Sequence, residues 1–281
     1  MINVVVNGAC GRMGRRIIKL LSIQKDLHLC GAVEIPSHSD IGKDAGVVAG
    51  IDKLDVSVIS CINDIIEDAD VVVDFSSTDG ALASASVCAK YKKALIVGTT
   101  GLSVEALSEI RNISSIVACL VSSNMSVGVN LLCKLVEQAS SILGDEYDVE
   151  IIEAHHRFKK DAPSGTAKTL AKIISNVKGK KLKDMAVYGR EGLVGERKGN
   201  EIGIHAVRAG DIVGEHTVIF GGTGERIELK HIATTRDTFA QGVIKAIKFI
   251  STQRAGLYDM KDVLNNKFEA RNTKHKTISN D

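Results

Sequence analysis

The segment EAHHRFKKDAPSG, residues Glu153–Gly165, places two adjacent histidines and three further cations shortly before a proline. A histidine titrates near neutral pH and can move a proton, whereas clustered cations attract an anion. Pro163 disfavours helix at the preceding residue, and Ser164 is a favoured N-cap for the helical pattern that follows. That helix start would present the backbone amides of Gly165 and Thr166, which suit a carboxylate. The segment therefore predicts proton transfer to a bound small anion.

Neighbouring side chains in this segment should have different tasks. Along an extended chain they point in opposite directions, so one of His155 and His156 would act on the substrate while the other binds it or packs. His156, Lys159 and Lys160 could supply positive charge opposite a carboxylate. The same groups would also suit a phosphate, and a charge cluster is often only a solvated loop. We expect no metal site.

A second stretch, VNGACGRMGRRII, places Gly8, Gly11 and Gly14 between an apolar run and a helical pattern. Glycines at such a turn let the pyrophosphate of a dinucleotide approach the backbone and the helix start. Glu34 ends the second apolar run, where the dinucleotide pattern has a carboxylate that binds the adenosine ribose. Arg12 offers a guanidinium to the phosphates, although a solvated helix start is an equal alternative.

The same carboxylate bears on the choice of cofactor. Glu34 would repel the 2′-phosphate of NADPH, and Ile35 and Pro36 add no compensating cation. We therefore expect NADH to serve at least as well as NADPH. After the fifth and sixth apolar runs, VGTTG (Val97–Gly101) and SSNMSVG (Ser122–Gly128) could bracket a nicotinamide, although ordinary turns have the same composition.

The glycine turn must be positioned by the strands and helices around it, which are predicted from alternating apolar runs and helical patterns. The runs are β-branched and apolar on both faces, which predicts a doubly wound parallel sheet covered by helices. The predicted strands are Ile2–Asn7, Leu27–Val33, Val56–Ser60, Val71–Phe75, Ala94–Val97 and Ile116–Val121, and the predicted helices are Arg12–Ser22, Gly80–Lys90 and Val104–Asn112.

The pattern changes after a predicted helix at Val127–Leu143. A strand at Val149–Ala154 and an amphipathic helix at Thr166–Val177 precede Glu201–Thr235, whose turn-separated runs look like an antiparallel meander. A final helix is predicted over Thr238–Ser251. We expect this half to form an α+β domain with a mixed or antiparallel sheet.

The composition limits the partners. The chain has 281 residues, 44% hydrophobic and 25% charged, with a net charge of only +2. We therefore expect a globular protein without a nucleic acid or membrane partner. The N-terminus shows no targeting pattern, and the six cysteines form no C-x-x-C pair. These features predict a cytoplasmic protein with reduced thiols.

Five motifs together resemble the 4-hydroxy-tetrahydrodipicolinate reductase (dihydrodipicolinate reductase) family, in order and at its spacing, from Met1 to Leu264. They are GACGRMG, VGTTG, SSNMSVGVNLL, EAHHRFKKDAPSGTA and VRAGDIVGEHTV. The resemblance implies NAD(P)H-dependent reduction of a small cyclic dicarboxylate in the diaminopimelate and lysine pathway. The chain departs from the family pattern at Ile35, where some relatives have an arginine that favours NADPH, and at Met125, where an aromatic residue is usual.

The resemblance also implies the roles of individual residues. His155 would be a catalytic proton donor or acceptor and Lys159 a proton donor, while His156, Gly165 and Thr166 would bind the substrate. The implied cofactor-binding residues are Gly8, Ala9, Cys10, Gly11, Arg12, Met13, Glu34, Gly98, Thr99, Thr100, Ser122, Ser123, Asn124 and Met125.

The domain organisation follows from the same resemblance. A dinucleotide-binding domain over 1–125 would be completed by 236–264, and 126–235 would form a substrate-binding and oligomerisation domain. Family members are commonly homotetramers built through the sheet of that second domain, so we expect a homotetramer. The polar residues 265–281 extend past the family's usual end, and we interpret them as a flexible tail.

Two other functions remain open. A semialdehyde dehydrogenase would need an activated cysteine, but Cys119 and Cys133 lie in apolar runs that indicate core positions. A non-catalytic NAD(H)-sensing protein would need the glycine turn but not the histidine–lysine segment.

Overall fold

The computed structural model describes residues 1–265, which form two compact units. One unit is Met1–Val127 together with the described residues from Asp237 onward, and the other is Gly128–Arg236. Of the predicted tail 265–281, all but the first residue lies outside the described part of the chain. Among the described helices, none combines the length and the apolar character needed to cross a membrane.

The helices and strands alternate through most of the chain. The strands are β1 (Ile2–Asn7), β2 (Leu27–Val33), β3 (Val58–Ile59), β4 (Val71–Asp74), β5 (Ala94–Val97), β6 (Ala118–Val121), β7 (Asp148–His155), β8 (Ala186–Tyr188), β9 (Ile202–Arg208), β10 (Gly214–Gly221), β11 (Arg226–Ala233) and β12 (Gly256–Tyr258). The α-helices are α1 (Arg12–Leu21), α2 (Ala45–Ala49), α3 (Thr78–Tyr91), α4 (Val104–Ile113), α5 (Val127–Leu143), α6 (Gly165–Val177) and α7 (Asp237–Ile250).

The first unit is built on seven parallel strands in the order β12-β6-β5-β4-β1-β2-β3. The chain begins in the middle at β1, runs to one edge through β2 and β3, and returns to the other side through β4. This confirms the predicted doubly wound parallel sheet, whose strands carry valine, isoleucine and leucine because helices cover both faces. Val71, Val72 and Val73 of β4 are fully buried.

The second unit has a five-stranded mixed sheet in the order β11-β10-β7-β9-β8. Residues of α5 and α6 share one apolar core with this sheet, to which Val149 and Ile151 of β7 belong. Ser164 begins α6, because its side chain accepts a hydrogen bond from the Ala167 amide at 3.2 Å. The predicted mixed or antiparallel sheet is therefore confirmed.

The predicted antiparallel meander over Glu201–Thr235 is wrong in one respect. Strands β9 and β10 follow each other in sequence but do not pair, because β7 lies between them. Strand β9 is parallel to β7, whereas β10 is antiparallel to both β7 and β11. The prediction paired strands that are neighbours in sequence. In the observed sheet, β9 and β10 each pair instead with β7, which lies earlier in the chain. The short elements α2, β8 and β12 were not predicted.

Candidate functional site

The glycine turn of the first unit is too tight for side chains. Gly8 has a φ of +77°, and a Cβ on it would lie 2.5 Å from the carbonyl oxygen of Phe75. A Cβ on Gly14 would lie 2.2 Å from the Gly8 carbonyl oxygen. Helix α1 begins after Gly11 with no side-chain cap and no acidic residue in its first turn. The turn therefore has the bare backbone and open helix start that suit a pyrophosphate.

Glu34 lies against this turn. One of its carboxylate oxygens accepts a hydrogen bond from the Cys10 amide at 3.0 Å, and the other accepts one from the Ile35 amide at 3.0 Å. The predicted ribose-binding carboxylate is thus held beside the glycine turn. Arg12 is exposed at the start of α1.

A cation beside the turn was missed by the sequence analysis. The Arg15 Nε donates to the Cys10 carbonyl oxygen at 2.7 Å, and its guanidinium pairs with Asp40 at 3.2 Å. Lys43 also pairs with Asp40, at 2.7 Å, and this contact lowers the pKa of that carboxyl group. No role was predicted for Arg15, because an arginine in a helical pattern has the same appearance whether it contacts a turn or solvent.

Cys10, His38 and Asp40 have potential metal-ligand atoms within 4.8 Å of one another. Asp40 is already neutralised by the two cations described above, which opposes a third cation. Burial is the main cause that raises the pKa of the Cys10 thiol, to about 11. The expectation of no metal site stays a prediction.

A buried carboxylate, Asp74, connects the loops around the glycine turn. It accepts hydrogen bonds from Asn7 at 2.7 Å, from Thr99 at 2.7 Å and from Ser84 at 2.9 Å, and the Ser76 side chain and amide also donate to it. The loops that follow β1, β4 and β5 therefore share one anchor. The predicted cofactor residue Thr99 contributes its hydroxyl to this network. An acidic residue at the end of a buried strand was the sequence signal for Asp74.

The remaining predicted cofactor residues follow β5 and β6. Gly98 approaches the ring of Phe75 so closely that a Cβ would lie 2.1 Å from it, and Thr100 is exposed. After β6, the Ser122 hydroxyl donates to the Asn124 carbonyl oxygen at 2.9 Å. The Met125 side chain is buried in the core of this unit. Because the strands are parallel, the residues that follow their carboxyl ends lie along one edge of the sheet.

In the second unit, the histidine–lysine segment begins on the inward face of β7. Side chains alternate along a strand, and Val149, Ile151, Glu153 and His155 occupy that face. Glu153 is fully buried, so the apolar row continues into a carboxylate and then an imidazole. Sequence analysis assigned no role to Glu153, although an acidic residue in an inward position was visible in the pattern.

Glu153 has four donors. Arg208 binds it through both terminal nitrogens at 2.8 Å, the Ser164 amide donates at 3.0 Å, and the His155 Nδ1 lies 2.6 Å away. Burial alone would raise the pKa of Glu153, but the hydrogen bonds from Arg208, His155 and Ser164 hold it below its ordinary value. The carboxylate is therefore ionised at neutral pH. Arg208 lies in the VRAGDIVGEHTV motif, but no role was predicted for it.

His155 is the better placed of the two adjacent histidines for proton transfer. Its Nδ1 faces Glu153, and its side chain is 12% exposed. Burial lowers the pKa of His155 below its ordinary value, while the contact with Glu153 opposes that shift. Nε2 is left as the ring atom that can exchange a proton with a ligand. The neighbouring His156 is half-buried, and its Nδ1 has no hydrogen-bond partner among the described residues.

His216 of β10 connects this imidazole to the start of α6. Its ring packs edge-on against His155 with centroids 5.2 Å apart, and its Nε2 lies 3.0 Å from the Ser164 hydroxyl. Burial is the main cause that lowers the pKa of His216, to about 4, so its ring is neutral at physiological pH. Gly165 is exposed and Thr166 half-buried in the first turn of α6. His155 and the helix start are thus brought together through Ser164.

Lys159 and Lys160 differ in their surroundings. Lys159 pairs with Asp161 at 2.8 Å and is mostly buried, whereas Lys160 is exposed. The positive charge of Lys159 contributes to the lowered pKa of His155, so the two groups are electrostatically coupled. The arrangement can donate a proton and bind an anion.

The chain matches two protein-family models that cover nearly all of it. Residues 2–125 match the model described as dihydrodipicolinate reductase, N-terminus, and residues 128–264 match dihydrodipicolinate reductase, C-terminus.

Curated relatives are similar over the same length. The 4-hydroxy-tetrahydrodipicolinate reductase of Anaeromyxobacter sp. (strain Fw109-5) is 48% identical and that of Syntrophus aciditrophicus (strain SB) 46% identical, each over 94% of this chain and 98% of the relative. A solved dihydrodipicolinate reductase from Paenisporosarcina sp. TG-14, with dipicolinate bound, has the same fold. It is 24% identical with a TM-score of 0.74, over 92% of this chain and 97% of that one.

Proposed function

The chain belongs to the dihydrodipicolinate reductase family, and from that premise we propose that it reduces 4-hydroxy-tetrahydrodipicolinate to tetrahydrodipicolinate. The resemblance found in its motifs is thereby confirmed, and the chain is an oxidoreductase. The reaction would use NADH or NADPH and serve diaminopimelate and lysine biosynthesis.

The observation that carries this proposal is the His155 imidazole, held by the buried Glu153 beside the start of α6. Conversion of the 4-hydroxy ring to tetrahydrodipicolinate releases the hydroxyl group as water, and the unsaturated ring that remains takes up one hydride and one proton. When bound, the reduced nicotinamide supplies the hydride. His155 or Lys159 would supply the proton, and general acid catalysis of this kind typically contributes about 10²- to 10⁴-fold in rate.

The substrate would be held by its carboxylates. His156 and the backbone amides of Gly165 and Thr166 are the groups that we expect to bind them. This assignment is supported by the place of Gly165 and Thr166 in the first turn of α6 and by the relative from Paenisporosarcina sp. TG-14, which binds dipicolinate.

The residues of the glycine turn fit a dinucleotide. The uncapped start of α1 suits the pyrophosphate, and Glu34 suits a ribose diol. We expect NADH to serve at least as well as NADPH, because Glu34 would repel a 2′-phosphate while Arg15 and Lys43 are already paired with Asp40. The exposed Ile35 adds no cation.

The assembly and the location belong to the same proposal. We expect a cytoplasmic homotetramer formed through the sheet of the second unit. Exposed apolar side chains on its strands support such an interface, among them Ile152, Ile227 and Ile232. Light scattering of the purified chain would measure the oligomeric state, and a monomer would contradict it.

A coupled assay tests the activity. The substrate is generated in situ, and oxidation of NADH or NADPH is followed by absorbance. We expect turnover that dipicolinate inhibits competitively, with kcat/KM for NADH at least equal to that for NADPH. His155→Gln should lower turnover strongly and leave the NADH Kd unchanged. A wild-type chain that binds NADH but does not oxidise it would indicate an NAD(H)-sensing protein instead.

The thiols argue against the semialdehyde dehydrogenase alternative. Cys119 is fully buried, and burial raises its pKa to about 12. Cys133 is buried in the core of the second unit. A nucleophilic cysteine needs the opposite environment, one that favours the thiolate.

A further inference from the structure

Glu153 neither donates a proton nor binds a carboxylate in the function proposed above, yet it is a fully buried charge beside His155 and Ser164. A buried carboxylate is stable only where hydrogen bonds replace its lost hydration. Each of its oxygens has two donors. One oxygen faces the His155 Nδ1 and one nitrogen of Arg208, and the other faces the Ser164 amide and the second nitrogen of Arg208.

These contacts fix both ends of the chain between β7 and α6, which contains most of the histidine–lysine segment. His155 ends β7, and Ser164 is the N-cap of α6. Arg208 also donates to the carbonyl oxygen of Asp161 at 2.7 Å, which fixes a third point between them. One ion pair therefore sets the distance between the imidazole and the helix start.

We propose that Glu153 is a positioning residue that, together with Arg208, fixes the His155 imidazole and the carboxylate-binding start of α6 in one geometry. The proposal rests on the function proposed above. An ionised carboxylate only accepts hydrogen bonds, so the His155 Nδ1 must carry a hydrogen. Nε2 is then the atom that exchanges a proton with the substrate.

The charges around His155 make this role testable. Glu153 is the negative group against its ring, whereas Arg208 from β9 and Lys159 from the following loop are positive. His216 from β10 packs edge-on against the ring. Removing the negative charge leaves neighbours that favour the neutral imidazole. An ion pair that does not contact the ring would leave the protonation of His155 unchanged.

The first experiment compares Glu153→Gln with Glu150→Gln. Glu150 is a matched control, because it lies on the same strand and is bound by Arg190, Arg197 and His205. Activity that needs a protonated His155 falls as pH rises. In Glu153→Gln this fall in kcat/KM should move to lower pH by about one unit or more, because an opposite charge at this distance shifts a pKa by about 1–3 units.

The same variant should raise KM for the substrate and leave the NADH Kd unchanged, because the glycine turn belongs to the other unit. Glu150→Gln should keep the wild-type pH profile. A folded Glu153→Gln with an unchanged pH profile would overturn the proposal.

The second experiment uses the wild-type chain and does not depend on the stability of a variant. In a chain labelled with ¹⁵N-histidine, NMR reports which ring nitrogen carries the hydrogen, and His155→Gln assigns the signal. At a pH where the ring is neutral, we expect the hydrogen on Nδ1. A hydrogen on Nε2 would refute the positioning role, whereas absent turnover with the hydrogen on Nδ1 would refute only the proposed function.

Discussion

Gly214 lies next to His155 across the β7–β10 pair, and a Cβ on Gly214 would lie 3.1 Å from the His155 Nε2. That is the ring atom we expect to exchange a proton with the substrate. The absence of a side chain at this position keeps Nε2 accessible from β10.

Gly214→Ala should therefore lower turnover by roughly ten- to a hundredfold, because small displacements of a reacting group can cost that much. Gly221→Ala is the matched control, since Gly221 lies on the same strand and a Cβ there would meet no atom within 4 Å. Steady-state kinetics would measure both variants. Equal turnover in the two would contradict the role of Nε2.

Asp74→Asn should weaken NADH binding. The amide nitrogen would face hydroxyl and amide donors that now point at a carboxylate, which costs about 1–3 kcal/mol of the free energy of unfolding. The loops after β1, β4 and β5 would lose their shared anchor. Fluorescence titration would measure the NADH Kd, and urea unfolding the stability.

Asp70→Asn serves as the control for that variant. Asp70 precedes the same strand and accepts a hydrogen bond from the Asn3 amide at 2.8 Å, but it is exposed. We expect its NADH Kd to match the wild type. If the two variants bind NADH equally well, Asp74 does not organise the cofactor loops.

The lowered pKa of His216 predicts that the folded chain loses stability in mild acid. Its pKa in the folded chain is about 4, below the ordinary 6.5, because burial disfavours the charged ring. The unfolded chain therefore binds more protons between these values, and stability falls as pH drops from about 6.5 towards 4. The full effect is about 3 kcal/mol, at about 1.4 kcal/mol for each unit of pKa.

Urea unfolding at several pH values would measure this effect in the wild type and in His216→Asn. The variant should be less stable at neutral pH, because it loses the packing against His155, but its stability should decline less between pH 6.5 and 4. Parallel declines in the two proteins would exclude His216 as the acid-sensitive group.

Ile35→Arg should raise kcat/KM for NADPH several-fold and change that for NADH little. Ile35 is exposed, so the substitution should not disturb the fold, and a guanidinium there could pair with a 2′-phosphate. Ile35→Gln controls for size and polarity without charge. Equal NADPH kinetics in the two variants would show that this position does not face the ribose.

The strands and helices that depend on the local residue pattern could be predicted from the sequence. Strands such as Leu27–Val33 and helices such as Val127–Leu143 have the bounds expected from periodicity. The predicted meander was wrong because β9 pairs with β7, which is distant in sequence. The residue pattern within a strand does not indicate which distant strand it pairs with. Strand β12 was missed because three residues carry too little periodicity.

For the candidate site, the proton-handling and helix-start residues were visible as unusual residues in one segment. The residues that hold them were harder to find. Glu153 and Asp74 were marked only by acidity at inward strand positions, and Arg208 meets Glu153 only when the sheet has formed. Arg15 gave no signal, because a guanidinium on a helix surface looks the same whether it faces solvent or a turn.

The Glu153–Arg208 pair also bears on how the second sheet assembles. The two residues are 55 positions apart in sequence, and they meet because Arg208 pairs with His155 in the β7–β9 register. A slip of one residue would turn Arg208 to the opposite face and leave Glu153 buried without its cation. Removing one partner of a buried ion pair costs about 3–5 kcal/mol, so a misaligned β9 is disfavoured by a comparable amount. The ion pair thus favours the observed alignment of β9 over a misaligned one.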